Sequence, residues 1–265
     1  MAAHEVDLGE LLFERYLSAR GYVIQGREED FGAGRRPDYR IGAGGRDVVA
    51  EVKTFDPLSE LPPARVGGFV GSQVKAVRDR ISDGARQLRG VGNLPVMVVL
   101  ASPLDALKPL HPAGVIEAMY GDQLVYFNNG RGITFGAGRN GKLRVDEDGR
   151  RVRGSHRHLS AVAVIRCSDA LQRAMWVWMA GNSSRFGSDK AAFVAGLEQI
   201  EVTSADQELV QLDVFEVLSS SAIPLPRTVF DGPLDTRWGK AGLDLYGDPY
   251  YGRLTLPPVS ETAER

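Results

Sequence analysis

Hydrophobic positions in the first hundred residues switch between helical and strand spacing in a readable order. Leu8, Leu11, Leu12, Tyr16 and Leu17 recur at helical spacing and predict one apolar stripe. Asp7 stands where an N-cap belongs, with Glu10 three residues on, and Gly21 stops the helix after about Arg20. Tyr22-Val23-Ile24 reads as a first strand. Arg36 to Ile41 and Asp47 to Thr54 then read as the arms of a β-hairpin. Their turn is Gly42-Ala43-Gly44-Gly45, whose glycines supply positive φ angles. In the second arm Val49, Glu51 and Lys53 share one face, and Val48, Ala50 and Val52 the other.

Asp56 to Gly71 is rich in Pro and Gly and predicts a loop, placed to serve as a flap over substrate or as a plain connection. Gln73 to Leu88 returns to helical spacing through Val74, Val77, Ile81, Ala85 and Leu88. Pro95 to Leu100 is a continuous apolar run of strand length, as in a central strand covered on both faces. Strand, helix and apolar strand make a βαβ unit, expected to be parallel and right-handed.

Beyond Ala101 the pattern predicts a helix over Pro112 to Tyr120 and strands over Gln123 to Phe127 and Ile133 to Phe135. Arg139 to His158 reads as a basic hairpin turning at Asp148-Gly149. Leu159 to Arg166 is a second apolar strand, placed to lie beside the one at Pro95, and Met175 to Met179 reads as a further strand with an aromatic face. From Phe215 the chain reads as turn-rich and wrapping the core, with a flexible tail over 259–265.

Composition narrows the class without naming a function. A chain of 265 residues suits one elaborated domain, with a core over 1–100 and an extension over 101–258. The net charge of −2 gives no general support for nucleic-acid binding, so phosphate contacts would come from local patches. A single cysteine, Cys167, excludes an intrachain disulfide and a cysteine zinc site. No apolar run is long enough to cross a membrane, and the first residues lack the pattern of a signal peptide. The expected location is cytoplasmic.

The hairpin carries the chemistry. Asp38 on one arm can reach Glu51 and Lys53 on the other, within a largely apolar setting where charge is rarely found unless paired or bound to a metal. Two carboxylates suit a hard divalent cation, and a neighbouring lysine can orient water or stabilise developing negative charge. The plain alternative is a surface ion pair between Glu51 and Lys53.

Pro37-Asp38 followed by Glu51-Val52-Lys53 resembles the PD-(D/E)xK nuclease superfamily, over roughly the first hundred residues. The resemblance implies an α/β fold with a restriction-endonuclease-like core, a mixed central sheet flanked by helices, and a β-rich C-terminal extension. It implies that Asp38 and Glu51, with the Val52 carbonyl, hold Mg2+ (or Mn2+) and that Lys53 orients the attacking water. It implies a first-helix glutamate at the same site, Glu10, with Glu14 as runner-up; a capping or solvent-facing role is the structural alternative for either. Gln87 lacks the tyrosine that usually follows such a residue and stays unassigned. Lys75, Arg78, Arg36, Arg151 and Arg153 are candidate phosphate contacts. His156-Arg157-His158 reads as a surface or phosphate-contacting pair of histidines. The expected activity is phosphodiester hydrolysis of nucleic acid, DNA ahead of RNA, and a homodimer fits because duplex cutting needs two sites. An inactive nucleic-acid- or protein-binding module on the same fold is the alternative.

Overall fold

The run at Val96–Leu100 becomes the middle of a mixed sheet because its alternate side chains find an apolar layer on each face. The computed structural model describes residues 7–32, 36–43, 45–55, 70–102, 110–121, 156–167, 177, 210–219, 221–243 and 249–254. Its elements are α1 (Leu8–Ala19), β1 (Val23–Arg27), β2 (Tyr39–Ala43), β3 (Arg46–Thr54), α2 (Val70–Gln87) and β4 (Val96–Ala101). They continue with α3 (Pro112–Tyr120), β5 (Ala161–Cys167), β6 (Val210–Glu216), β7 (Thr236–Leu243) and β8 (Pro249–Arg253). The strands form one eight-stranded sheet in chain order. β1, β2 and β3 are antiparallel neighbours, and β3, β4 and β5 are parallel. β6 is antiparallel to β5 and parallel to β7, and β8 returns antiparallel to β7. The architecture is α/β.

Side-chain alternation sorts the core into two layers. Leu12, Phe13, Tyr16 and Leu17 of α1 pack with Ile41, Val48, Ala50, Met97, Val99 and Ala163 on one face. Val77, Ile81 and Ala85 of α2, with Val115 and Met119 of α3, pack with Val49, Val98, Leu100 and Val164 on the other. β4 therefore serves both layers, as its unbroken apolar sequence requires.

Local signals set the helix ends. The Asp7 carboxylate accepts the Gly9 N–H at 2.7 Å, and Gly21 follows the helix at φ +69°. α3 starts with Pro112 at its first position, where the missing N–H costs nothing.

The structure moves several sequence expectations. The hairpin turn is tighter than its four small residues suggest, because Gly42 and Ala43 pair with Asp47 and Arg46. Gly45, just before Arg46, sits at φ +80°, the left-handed region that a tight reversal uses. The stretch after Phe215 is not only turns: β7 and β8 add two strands to the sheet. The expected strand over Met175–Met179 is met at Val177 alone, which is helical and exposed. The expected loop over 56–71 ends sooner, because α2 already begins at Val70; the rest of it, the strands at 123–127 and 133–135, nearly all of the basic hairpin and the tail after 258 lie outside the described residues. No helix among the described residues is long and apolar enough to cross a membrane.

The C-terminal strands are tied to α1 by a buried polar knot. Asp235 accepts the Tyr16 hydroxyl at 2.6 Å and the N–H groups of Leu212 and Gly232, each at 2.8 Å. Burial pushes both the Tyr16 phenol and the Asp235 carboxyl above their ordinary values. Beside the knot, fully buried Arg237 donates to the carbonyls of Leu225, Pro226 and Val229 and to Glu216. Tyr16→Phe should lower stability by about 1–3 kcal/mol, since a buried acceptor loses a donor. Urea unfolding checks this as a lower midpoint with an unchanged slope.

Candidate functional site

The site forms where the ladder between β2 and β3 runs out. Their last paired residues are Tyr39 and Ala50. One residue further out, the Asp38 side chain takes over from the strand: its Oδ2 accepts the Val52 N–H at 2.7 Å. The exchange is reciprocal, because the Asp38 N–H donates to Glu51 Oε2 at 3.3 Å. Strand alternation places Lys53 on the Glu51 side, and its Nζ donates to Glu51 Oε1 at 2.6 Å. Asp38, Glu51 and Lys53 thus meet as the sequence pattern predicts.

Burial sets the electrostatics. The Glu51 side chain is 3% exposed and that of Lys53 is 22% exposed. Loss of water, and then the negative charge of Asp38, pushes the Glu51 carboxyl up to about 7, against relief from Lys53 and the Asp38 N–H. Burial likewise raises the Asp38 carboxyl; the Val52 N–H and Lys53 oppose the rise, and Glu28 and Asp7 add to it. The ammonium therefore compensates the pair incompletely. Oxygen donors held with surplus negative charge are what a hard divalent cation such as Mg2+ takes, completing its shell with water. Asp38 and Glu51 are the residues that fit it.

On the first helix the runner-up, Glu14, is engaged by Tyr39 and Arg27. Glu14 accepts the Tyr39 hydroxyl at 2.8 Å and pairs with Arg27, whose guanidinium lies 5.6 Å from the Tyr39 ring centre. Glu10, one turn earlier on the half-buried side of α1, exerts its charge on the same Arg27 and Tyr39. Among the described residues no three His, Cys, Asp or Glu side chains group to hold a metal. The phase of α1 turns Glu14 toward Arg27 and Tyr39.

The helix instead reaches the site's edge through its cap. Asp7 accepts the Thr54 hydroxyl as well as the Gly9 N–H. A Cβ on Gly9 would run into Thr54 Oγ1 and lie 2.6 Å from Ala101 Cβ, so the first turn of α1 presses on the ends of β3 and β4. The cap signature at Asp7 was readable in the sequence, but its partner Thr54 was not.

The remaining candidates separate. Val52 is buried and its N–H serves Asp38, while its carbonyl stays a ligand by resemblance alone. Arg36 is exposed just ahead of Pro37. Lys75 is ion-paired with Asp79 one turn on at 2.6 Å, and Arg78 is half-buried on α2. Gln87 is exposed at the end of α2. Arg151 and Arg153 lie outside the described residues. The histidines are not the surface pair expected: His156 is buried, and a His158 ring nitrogen lies 2.8 Å from the Ala85 carbonyl oxygen. The turn before β5 tucks them against α2, with Leu159 buried beside them.

The raised Glu51 carboxyl fixes the sign of a pH effect. Folding lifts it from 4.5 to about 7, so the folded chain binds the proton more tightly than the unfolded chain. Stability should fall as pH rises from about 4.5 to 7, by on the order of 3 kcal/mol for this group. Urea midpoints in EDTA at pH 5 and pH 8 should show the loss, and Glu51→Gln should flatten it.

The chain matches no protein-family model, no curated protein and no solved structure.

Proposed function

We propose that the chain is a divalent-metal-dependent nuclease of the PD-(D/E)xK kind, with a restriction-endonuclease-like core, cutting DNA in preference to RNA. One observation carries this reading: Asp38, just before β2, converges with Glu51 and Lys53 of β3 where the β2–β3 ladder ends, with Glu51 held out of water. A surface ion pair would leave Glu51 hydrated, and its burial beside a second carboxylate is the less stable arrangement unless a cation is taken up.

In this reading Asp38 and Glu51 hold Mg2+, or Mn2+ in its place. The bound ion supplies an acidified water and offsets charge on the phosphoryl oxygen. The chain's own groups do the positioning. The Val52 N–H fixes the Asp38 carboxylate, so one of the two ligands is oriented before substrate arrives. Lys53, on its four-carbon stem, orients the attacking water and stabilises charge that develops on the phosphate. Arg36, exposed beside the motif, is placed for a backbone phosphate. A homodimer would supply the second site that duplex cutting needs.

A second reading, a binding module without catalysis, is favoured by the absence of a third carboxylate in the cluster among the described residues. Cleavage assays on single- and double-stranded DNA and RNA with Mg2+, Mn2+ or EDTA decide between them. Metal-dependent cutting is expected, with Asp38→Ala and Lys53→Ala each losing at least about a hundredfold while keeping the native circular dichroism. Full activity in either variant would overturn the nuclease reading, and binding without cutting by the native chain would establish the second.

A further inference from the structure

The same site carries a consequence for how a cation enters it, and this inference rests on the nuclease reading. Three of the four oxygens of the carboxylate pair, including both of Glu51, are engaged by the chain. Asp38 Oδ2 takes the Val52 N–H, Glu51 Oε2 takes the Asp38 N–H, and Glu51 Oε1 takes the Lys53 ammonium. Two of these three donors are backbone groups of the hairpin and cannot leave without breaking it. The third is the end of a flexible side chain. The Lys53 side chain is 22% exposed against 3% for Glu51, so the lysine is the more open to solvent of the two. Lys53 is also the one positive group among the charges that act most on both carboxylates.

We propose that Lys53 and a divalent cation are alternative partners of the Glu51 carboxylate, the ion entering by displacing the ammonium. A positive side chain and a doubly charged ion on one buried carboxylate repel each other at short range, where the low dielectric does little to screen them. Release from Glu51 is also what makes the lysine available, since an ammonium held 2.6 Å from Oε1 has one of its three donors committed. The ion pair therefore holds the site together until the cation arrives, and its rupture couples cation uptake to readiness of the lysine. Lys53 then limits cation affinity while serving the reaction, so the two properties move in opposite directions when it is removed.

Two measurements on the full chain without nucleic acid test this. Calorimetric titration with Mg2+ at pH 8 should show Lys53→Met binding about tenfold more tightly than the native chain, although the variant does not cut. In native protein carrying 13C-lysine, the Lys53 Cε–Hε resonance, assigned by its loss in Lys53→Met or Lys53→Arg, should shift as Mg2+ saturates. Equal or weaker affinity in the variant, or a Lys53 resonance unmoved at saturation, overturns the displacement and leaves metal-dependent cutting standing. No Mg2+ binding by either protein overturns the displacement and the nuclease reading together.

Discussion

The candidate site depends on where β2 stops pairing with β3. Strand β3 is hydrogen-bonded on both sides, to β2 and to β4, and its side chains face an apolar layer above and below. A glutamate at position 51 is therefore buried by its place in the sheet, whatever its own preference for water. The strand's period of two then sets Lys53 beside it. Because β2 ends at Tyr39, the Asp38 carboxylate can turn into the gap and take the next N–H of β3. One broken ladder thus brings an Asp, a Glu and a Lys to a single point, and keeps one carboxylate dry.

Support for that point comes from far along the chain. Helix α1 is held at its start by Asp7 on Thr54, one residue past Lys53, and near its end by Tyr16 on Asp235. Asp235 also takes the N–H of Leu212 in β6, so the C-terminal strands brace the helix that presses on the end of β3. Tyr22, just after α1, adds a bond from the Phe230 N–H at 2.7 Å. The residues after Ala101 are in this sense part of the site's scaffold, because loosening β6 or the segment before β7 would free α1 to shift against β3 and β4.

Much of the first half was legible because its signals are local. Helix phase, caps, alternation and the apolar run of β4 each depend on residues within a turn or a strand of one another. What the sequence hid is nonlocal. β7 contains a fully buried arginine, an unreadable choice until the carbonyls of Leu225, Pro226 and Val229 are seen around it. Glu10 satisfies both a capping pattern and a family pattern, and nothing within a turn of it separates the two. His156 and His158 looked solvent-facing because nothing near them in sequence reveals that α2 supplies the Ala85 carbonyl. The meeting of Asp38 with Glu51 and Lys53 was readable, since a short hairpin fixes register over a few residues.

The balance of charge at that meeting also argues about purpose. Replacing a buried ion pair with apolar side chains of similar size is often neutral or stabilising, so such a cluster is a poor device for holding a fold together. Here the apolar layers around β3 are already continuous through Val48, Val49, Ala50 and Val52. The apolar packing around β3 does not call for a charged side chain at position 51, and what Glu51 bonds is the Asp38 N–H and the Lys53 ammonium of the cluster itself. Burial is the main cause that raises both carboxyls, and the single ammonium opposes the rise without cancelling it. Sites that break a local rule of folding in this way, while every neighbouring position obeys it, are where function is expected to reside. A divalent cation, as in the proposed reading, would offset the charge that one ammonium leaves, and Asp38 and Glu51 are the oxygen donors the hairpin brings together for it.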